Sequence, residues 1–148
     1  MINLIRRDFI VEAPLAVAWQ HLTQVEKWPS WARHIKHIKL IPAGELLPQS
    51  QGMIYLRNGV RSDFHMTEFN LHRNWKWAGP FLWLTVHYDH RFEAVDRQHT
   101  RMTFVVDAEG FGVETIGKIF AALYNRNLDQ AIPRLVAEMK DKASVTGG

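Results

Sequence analysis

The sequence predicts an α+β domain in which a curved, seven-stranded antiparallel sheet wraps around a long C-terminal helix. Segments that alternate apolar and polar residues follow one another through most of the chain, separated by short turns. A long helical pattern comes only at the end, over about residues 113–142, and two short helical patterns follow the first strand. At 148 residues the chain has the size of one domain, so we expect residues 1–143 to form it and 144–148 to be a frayed tail.

The N-terminal part begins with an expected strand, residues 2–12, followed by short helices at about 14–24 and 28–33. Pro14 suits the first helical position, where its missing N–H is not needed. The apolar residues of the first helix recur at helical spacing: Leu15, Ala18, Trp19 and Leu22. Trp28-Pro29-Ser30-Trp31 then forms a rigid corner, which is either plain core or the closed end of an internal cavity.

The middle of the chain is expected to form strands joined by turns. The expected strands are residues 34–41, 53–57, 61–71, 75–77, 82–95 and 101–108. Residues 42–51 are expected to be a loop, Asn58-Gly59 is a strong hairpin signal, and Gly79-Pro80 predicts another turn. The longest strand has an apolar face formed by Leu84, Val86, Tyr88, His90 and Phe92. Its other face is expected to be solvated and carries Thr85, His87, Asp89, Arg91 and Glu93.

The C-terminal helix is expected to span about 42 Å, since ~28 residues rise 1.5 Å each. Its predicted apolar stripe is Ile116, Phe120, Leu123, Asn127, Ala131 and Leu135, flanked by Ile119, Leu128, Ile132 and Met139. Pro133 should bend the helix, because proline removes one backbone hydrogen bond and crowds the carbonyl of Asp129.

Composition excludes several classes of protein. Apolar residues make up 47% and charged residues 22%, which is ordinary for a globular protein. The net charge is only +3 and no block of Lys or Arg is present, so we expect no nucleic-acid partner. The chain has no cysteine, which rules out disulfides and thiol chemistry. No segment approaches the ~18 apolar residues that span a bilayer, so we expect no stable membrane insertion and a cytoplasmic location.

Several motifs carry a resemblance to a known family. They are Val11-Glu12-Ala13-Pro14, Val17-Ala18-Trp19, the run from Val25 to Trp31, His90-Arg91-Phe92-Glu93, Thr100-Arg101-Met102-Thr103 and Leu135-Val136-Ala137-Glu138-Met139-Lys140. In their order and spacing these motifs resemble the START-like (SRPBCC, Bet v 1-like) superfamily, and most closely its bacterial polyketide cyclase/dehydrase and lipid-transport group. The resemblance covers nearly the whole chain. It implies a helix-grip fold with a hydrophobic ligand cavity.

A sheet wrapped around one helix leaves space that large side chains or a ligand must fill. The chain has six Trp and eight Phe, enough to line such a cavity as well as to fill a core. The predicted ligand is a hydrophobic or aromatic small molecule, lipid-like or polyketide-like, between the sheet and the C-terminal helix. The candidate ligand-binding residues are Tyr55, Phe64, Met66, Trp75, Trp77, Phe81, Trp83, Tyr88, His90, Phe104, Phe120, Tyr124 and Asn127. Each of them can equally be ordinary core.

Catalysis and metal binding have weaker signals. His34/His37 and His87/His90 are spaced by three on strands, so their side chains point to opposite faces, and we expect neither a metal site nor a cofactor. His90 is the one candidate for acid–base catalysis, although a buried histidine held by one hydrogen bond explains it as well. Arg6, Arg7, Arg33, Lys36 and Lys39 could favour an anionic head group, or could simply be solvated.

Three functions therefore stay open. The first is binding of a small hydrophobic molecule, the second a polyketide aromatase/cyclase, and the third a regulatory module that binds another protein. The ligand, the occurrence of any reaction and the choice between monomer and homodimer are left undecided by the sequence.

Overall fold

A computed structural model describes residues 1–146 and shows one antiparallel sheet with a long C-terminal helix. The elements are β1 (Ile2–Val11), α1 (Leu15–Thr23), a 3-10 helix (Val25–Ser30), β2 (Ile35–Ile41), β3 (Gln51–Leu56), β4 (Arg61–Asn70), β5 (Asn74–Phe81), β6 (Leu84–Ala94), β7 (Thr100–Glu109) and α2 (Val113–Thr146). The strands lie in the order β1-β7-β6-β5-β4-β3-β2, with every neighbouring pair antiparallel. The predicted α+β helix-grip fold is confirmed.

The sheet follows the predicted alternation best in β6. Leu84, Val86 and Phe92 are buried on its concave face, as expected. The prediction that the opposite face is solvated is wrong at Asp89, which is only 5% exposed. Asn74 Nδ2 donates to Asp89 Oδ1 at 2.9 Å, and Arg91 Nε donates to Asp89 Oδ2 at 2.6 Å. Asp89 is therefore buried as the acceptor of a polar network on the convex face.

β5 is longer than predicted, because Gly79 and Pro80 belong to the strand and not to a turn. A Cβ on Gly79 would collide with the carbonyl oxygen of Asp63 on β4, so glycine is needed for close approach of two backbones. The actual turn is formed by Leu82 and Trp83, with Leu82 in the left-handed region at φ 55°. The strand predicted to begin at residue 82 therefore begins at Leu84.

α2 has 34 residues and extends beyond its predicted end at residue 142. Residues 144–146 of the expected tail continue the helix, and residues 147–148 lie outside the described part of the chain. α2 packs mainly against β1, β7 and α1. Arg7 Nη1 on β1 donates to Asp129 Oδ1 at 2.8 Å, and His21 Nε2 on α1 lies 3.0 Å from Glu138 Oε1. Within residues 1–146, neither helix holds an apolar stretch long enough to cross a bilayer.

The predicted stripe of α2 is only partly right. Phe120, Ala131 and Leu135 are buried, whereas Leu123 is 56% exposed. Leu128 and Ile132, predicted to flank the stripe, are buried, so over the middle of the helix the buried face is centred closer to this flank than to Leu123. This shift decides which residues of α2 face the sheet.

Candidate functional site

The concave face of the sheet carries a dense cluster of aromatic rings. Trp75 and Trp77 on β5 are met by Trp19 from α1 and Trp28 from the 3-10 helix. The ring centres of Trp19 and Trp75 are 5.5 Å apart, and those of Trp28 and Trp77 are 5.3 Å apart. The ring centres of Phe64 and Trp77 are 4.4 Å apart. All five side chains are buried, so most of the space under the sheet is filled by protein.

His90 lies within this cluster and is 5% exposed. Its ring stacks on Trp75 with centres 4.5 Å apart, and its Nδ1 lies 3.2 Å from the Trp75 carbonyl oxygen. Because a carbonyl oxygen only accepts, Nδ1 must carry the proton. Burial lowers the pKa of His90 to about 4, against the opposing effects of that hydrogen bond and the nearby Asp89 carboxylate. The imidazole is therefore neutral near pH 7, with Nε2 left as an acceptor.

A small crevice lies between α2, the segment 28–35 and the middle of β6 and β7. The helix contributes Tyr124, Leu128 and Ala131, at i, i+4 and i+7. The segment 28–35 contributes Trp28 and Trp31, and the sheet contributes Tyr88, His90 and Phe104. The cavity volume is about 30 Å³, roughly the volume of one water molecule. Small-molecule pockets are commonly about 300–1,000 Å³, so in this conformation the crevice is too small for such a ligand.

Two tyrosines place polar groups in this aromatic crevice. Tyr88 and Tyr124 face each other across it with ring centres 5.7 Å apart. Neither hydroxyl has a hydrogen-bond partner among residues 1–146. Burial raises the pKa of both phenols above the ordinary value, and for Tyr88 the neighbouring Tyr124 adds to this effect. Both hydroxyls therefore stay protonated and can donate to a ligand oxygen.

The predicted ligand-binding residues fall into three groups. Four of them line the crevice: Tyr88, His90, Phe104 and Tyr124. Six belong to the packed layer beneath the sheet: Phe64, Met66, Trp75, Trp77, Phe81 and Phe120. The remaining three, Tyr55, Trp83 and Asn127, lie elsewhere. The buried indole N–H of Trp75 also has no hydrogen-bond partner in the described part of the chain.

The structure corrects the placement of these three residues. Tyr55 lies on the convex face, where it stacks on His37 at 4.1 Å, because Ile54 and Leu56 take the inward positions of β3. Trp83 is 59% exposed in the β5–β6 turn. Asn127 is half-buried on α2 and does not line the crevice.

The segment 28–35 forms one wall of the crevice, although none of its residues was among the predicted ligand-binding residues. Trp28 and Trp31 were expected to close one end of a cavity or to be core, and they line the crevice beside His34 and Ile35. Trp28 Nε1 donates to the Leu22 carbonyl at 2.8 Å, which fixes the ring against the end of α1. Burial lowers the pKa of His34. The Trp-Pro-Ser-Trp corner was the signal that could have identified this wall.

A metal site is not formed by the histidines. Among residues 1–146, no group of three or more His, Asp or Glu side chains is placed to hold a metal ion. His37 and His87 lie on the convex face, on strands separated by three others. His90 faces the opposite side of the sheet from both. Spacing of three on β6 separates His87 from His90, as expected, whereas His34 lies in the turn before β2 and not on a strand.

Comparison with known proteins identifies the family. The family model described as "Polyketide cyclase / dehydrase and lipid transport" matches residues 4–140. The chain belongs to this family. No curated protein is similar enough to the chain to match it.

Solved structures of members of the wider superfamily share the fold. The Zhui aromatase/cyclase from a Streptomyces species has a TM-score of 0.71 and 14% identity, covering 97% of each chain. A START superfamily protein from Mycobacterium smegmatis has a TM-score of 0.68 and 14% identity, covering 91% of this chain and 97% of that one. A hypothetical protein from Helicobacter pylori has a TM-score of 0.74 and 18% identity, covering 90% and 86%. At such low identity the likeness extends to the fold alone.

Proposed function

We propose that this polyketide cyclase/dehydrase and lipid-transport family member binds an oxygen-bearing aromatic or otherwise hydrophobic small molecule in the crevice. The observation that carries the proposal is the set of unpaired polar groups on aromatic walls. Tyr88 and Tyr124 offer two hydroxyl donors, and His90 offers Nε2 as an acceptor. Both tyrosines are half-buried and their hydroxyls still reach water, which a ligand with carbonyl or hydroxyl groups would displace while making the same hydrogen bonds.

Binding requires the crevice to open. A volume of about 30 Å³ cannot admit an aromatic molecule, so its two walls, α2 and the segment 28–35, must separate. α2 is fastened to β1 through Asp129 and to α1 through Glu138, so the opening must occur with these two contacts kept or broken together with the wall contacts. The closed form would be the ligand-free state, in which aromatic packing replaces the ligand.

A titration with a hydroxynaphthoquinone, followed by tryptophan emission, tests this proposal. The wild type should bind with a micromolar dissociation constant and with quenched emission, because Trp28 and Trp31 line the crevice. Tyr88→Phe and Tyr124→Phe each remove one hydroxyl and should weaken binding about fivefold, the effect of one hydrogen bond. Leu128→Trp should block the crevice and abolish binding.

Tyr55→Phe is the matched control, since it removes the same hydroxyl from the convex face. It should leave the dissociation constant unchanged. If the quinone does not bind, or if Tyr55→Phe weakens binding as much as Tyr124→Phe, the crevice is not the binding site. Native mass spectrometry of freshly purified protein would then show whether another hydrophobic molecule is carried.

The second candidate function is an aromatase/cyclase. The observation in its favour is that a neutral imidazole and two phenols meet in one crevice, as acid–base chemistry would need. However, a base with a pKa of about 4 removes protons poorly near pH 7, so we rank binding first. Turnover of a poly-β-ketone mimic by the wild type and not by a folded His90→Ala variant would reverse this ranking.

A further inference from the structure

One end of the sheet carries a cluster of exposed apolar side chains. The strand pairings place the β3–β4 turn, the β5–β6 turn and the β7–α2 loop together at the end where α2 begins. These connections expose Val60 (56%), Leu82 (65%), Trp83 (59%) and Phe111 (90%), which together we term the apolar tip. Turns of this kind usually carry small or polar residues, so four large apolar side chains need an explanation.

The backbone of the apolar tip holds these side chains outward. Trp83 Nε1 donates to the Phe111 carbonyl at 2.7 Å, which joins the β5–β6 turn to the β7–α2 loop. Phe111 stands between Gly110 and Gly112, whose φ angles are 135° and 75°. Leu82 has φ 55°, a conformation that a leucine adopts only at some cost. The conformation of the apolar tip is therefore fixed by a hydrogen bond between the turn and the loop and by backbone geometry.

A group of arginines borders the apolar tip. Arg33, Arg57 and Arg61 lie at the same end of the sheet, and Arg57 Nε donates to the Arg33 carbonyl at 2.6 Å. We term these three the arginine rim. None of them forms an ion pair within residues 1–146. The rim therefore leaves its positive charges available to a partner.

The pairing of charges differs elsewhere in the sheet. The arginines that pair with a carboxylate are Arg6, Arg7, Arg91 and Arg101, all on β1, β6 or β7. The carboxylates at the α2 end are Asp63 on β4, Asp107 and Glu109 on β7, and Glu114 on α2; Glu109 pairs with His87, and Asp107 accepts a hydrogen bond from Asn3. Among them only Asp63 lies on a strand next to the arginine rim, so the charge balance at the rim is positive.

We propose that the apolar tip and the arginine rim dock the protein peripherally on an anionic lipid bilayer. Tryptophan with its N–H already bonded, together with Leu and Phe, suits the boundary between head groups and acyl chains. Arginine side chains beside it suit anionic head groups, which attract basic residues close to the surface. The apolar side chains protrude from three separate turns, a shape that fits a deformable bilayer better than the rigid surface of a folded partner.

The apolar tip is also continuous with the crevice. Phe81 directly precedes Leu82 and lies 4.9 Å from Phe120, ring centre to ring centre. Phe120 lies 5.4 Å from Tyr124, which lines the crevice. A hydrophobic ligand could follow this row of rings from a bilayer without crossing water. The docking itself does not depend on ligand binding, so the two proposals fail or succeed separately.

Vesicle flotation tests the docking. Wild-type protein should bind vesicles of phosphatidylcholine and phosphatidylglycerol in equal parts, bind pure phosphatidylcholine weakly, and lose affinity as salt is raised. The variant Leu82→Asn/Phe111→Ser should bind at least about tenfold more weakly, because two apolar side chains no longer enter the interface. Arg57→Gln/Arg61→Gln should weaken binding to a similar degree and remove most of the salt dependence.

Matched controls lie at the opposite end of the sheet. Leu71 and Val95 are exposed apolar residues in turns there, and Arg73 and Arg97 are exposed arginines. Leu71→Ser/Val95→Ser and Arg73→Gln/Arg97→Gln should bind vesicles like the wild type. The proposal is overturned if the wild type binds no vesicles, or if the tip variant binds as well as the controls. Self-association that disappears in the tip variant, without vesicle binding, would identify the tip as an interface between copies.

Discussion

His90 makes two contacts with Trp75. Its ring stacks on the indole with ring centres 4.5 Å apart, and its Nδ1–H donates to the Trp75 carbonyl oxygen at 3.2 Å. Both contacts are made across the β5–β6 pairing, in which the two residues are direct partners. Trp75 thus fixes the position and the tautomer of the buried imidazole, and burial keeps the ring uncharged. Several testable properties follow from this and from similar local contacts.

We expect His90 to make the protein less stable at acidic pH. Its pKa is lowered to about 4 in the folded protein, whereas the unfolded chain should titrate near the ordinary 6.5. Between these values only the unfolded state gains the proton, so stability falls as the pH drops from 6.5 to 4. The full loss corresponds to about 3 kcal/mol. Urea unfolding of the wild type at a series of pH values should show this slope.

His90→Gln keeps a donor for the Trp75 carbonyl and removes the titration. Its unfolding free energy should depend much less on pH over that range. The remaining pH dependence should come from His34, because burial lowers its pKa as well. His65→Gln is the control and should keep the wild-type slope, because it changes an exposed histidine that forms no ion pair within residues 1–146. Parallel pH profiles for the wild type and His90→Gln would contradict the assignment.

The substitution Gly79→Ala should destabilise the protein strongly. The added Cβ would meet the backbone oxygen of Asp63, which cannot move without breaking the β4–β5 pairing. We expect a loss of about 2 kcal/mol or more in the free energy of unfolding. Gly117→Ala is the contrast, because its Cβ would meet only the flexible end of Leu4 at 3.1 Å and alanine favours the helix. Thermal denaturation that ranks the two variants alike would be inconsistent with this account.

Two carboxylates on the convex side of β6 should differ in their effect on stability. Asp89→Ala leaves Asn74 Nδ2 and Arg91 Nε without a buried acceptor, at a cost of about 2 kcal/mol. Glu93 is 74% exposed and lies 3.8 Å from Arg101, so Glu93→Ala should cost less than about 0.5 kcal/mol. Equal costs in chemical denaturation would show that Asp89 is not a structural acceptor.

Leu82→Gly should stabilise the protein, although it removes a large side chain. Glycine adopts the φ of 55° without the steric cost that leucine bears, and Leu82 is too exposed to contribute to the core. We expect a gain of about 0.5–1 kcal/mol. Val60→Gly, in an exposed turn position without a positive φ, should lose a similar amount. A loss at both positions in urea unfolding would argue against strain at Leu82.

Much of the fold could be predicted because strand alternation is a local pattern. The concave face of β6, from Leu84 to Phe92, followed directly from it. The predictions were wrong where a contact with a residue distant in sequence determines the local structure. Gly79 has the composition of a turn but is required by the backbone of β4, and Asp89 is buried by Asn74, fifteen positions away in sequence.

The candidate site was predicted less well, for a related reason. Four predicted residues line the crevice. Tyr55 was misplaced because β3 has half-buried residues on both faces, so its pattern does not show which residues face inward. On α2, Asn127 and Leu123 were placed in the buried stripe, whereas the sheet contacts a face turned toward Leu128. The wall formed by residues 28–35 depends on how a 3-10 helix lies against β2, which no periodic pattern records.

The pairing of the first strand with the last one has a consequence for how the protein is made. β1 forms its ladder with β7, as in the partnership of Ile2 with Ala108, and α2 then covers both strands. During synthesis β1 must therefore wait unpaired until β7 is made, since even its last residue, Val11, pairs with Thr100, 89 positions later. Until then the inner faces of β1 and of the growing sheet beside it lack the cover of α2, and the nascent chain is at its most prone to aggregate. Slowing translation before α2 should lengthen this vulnerable interval.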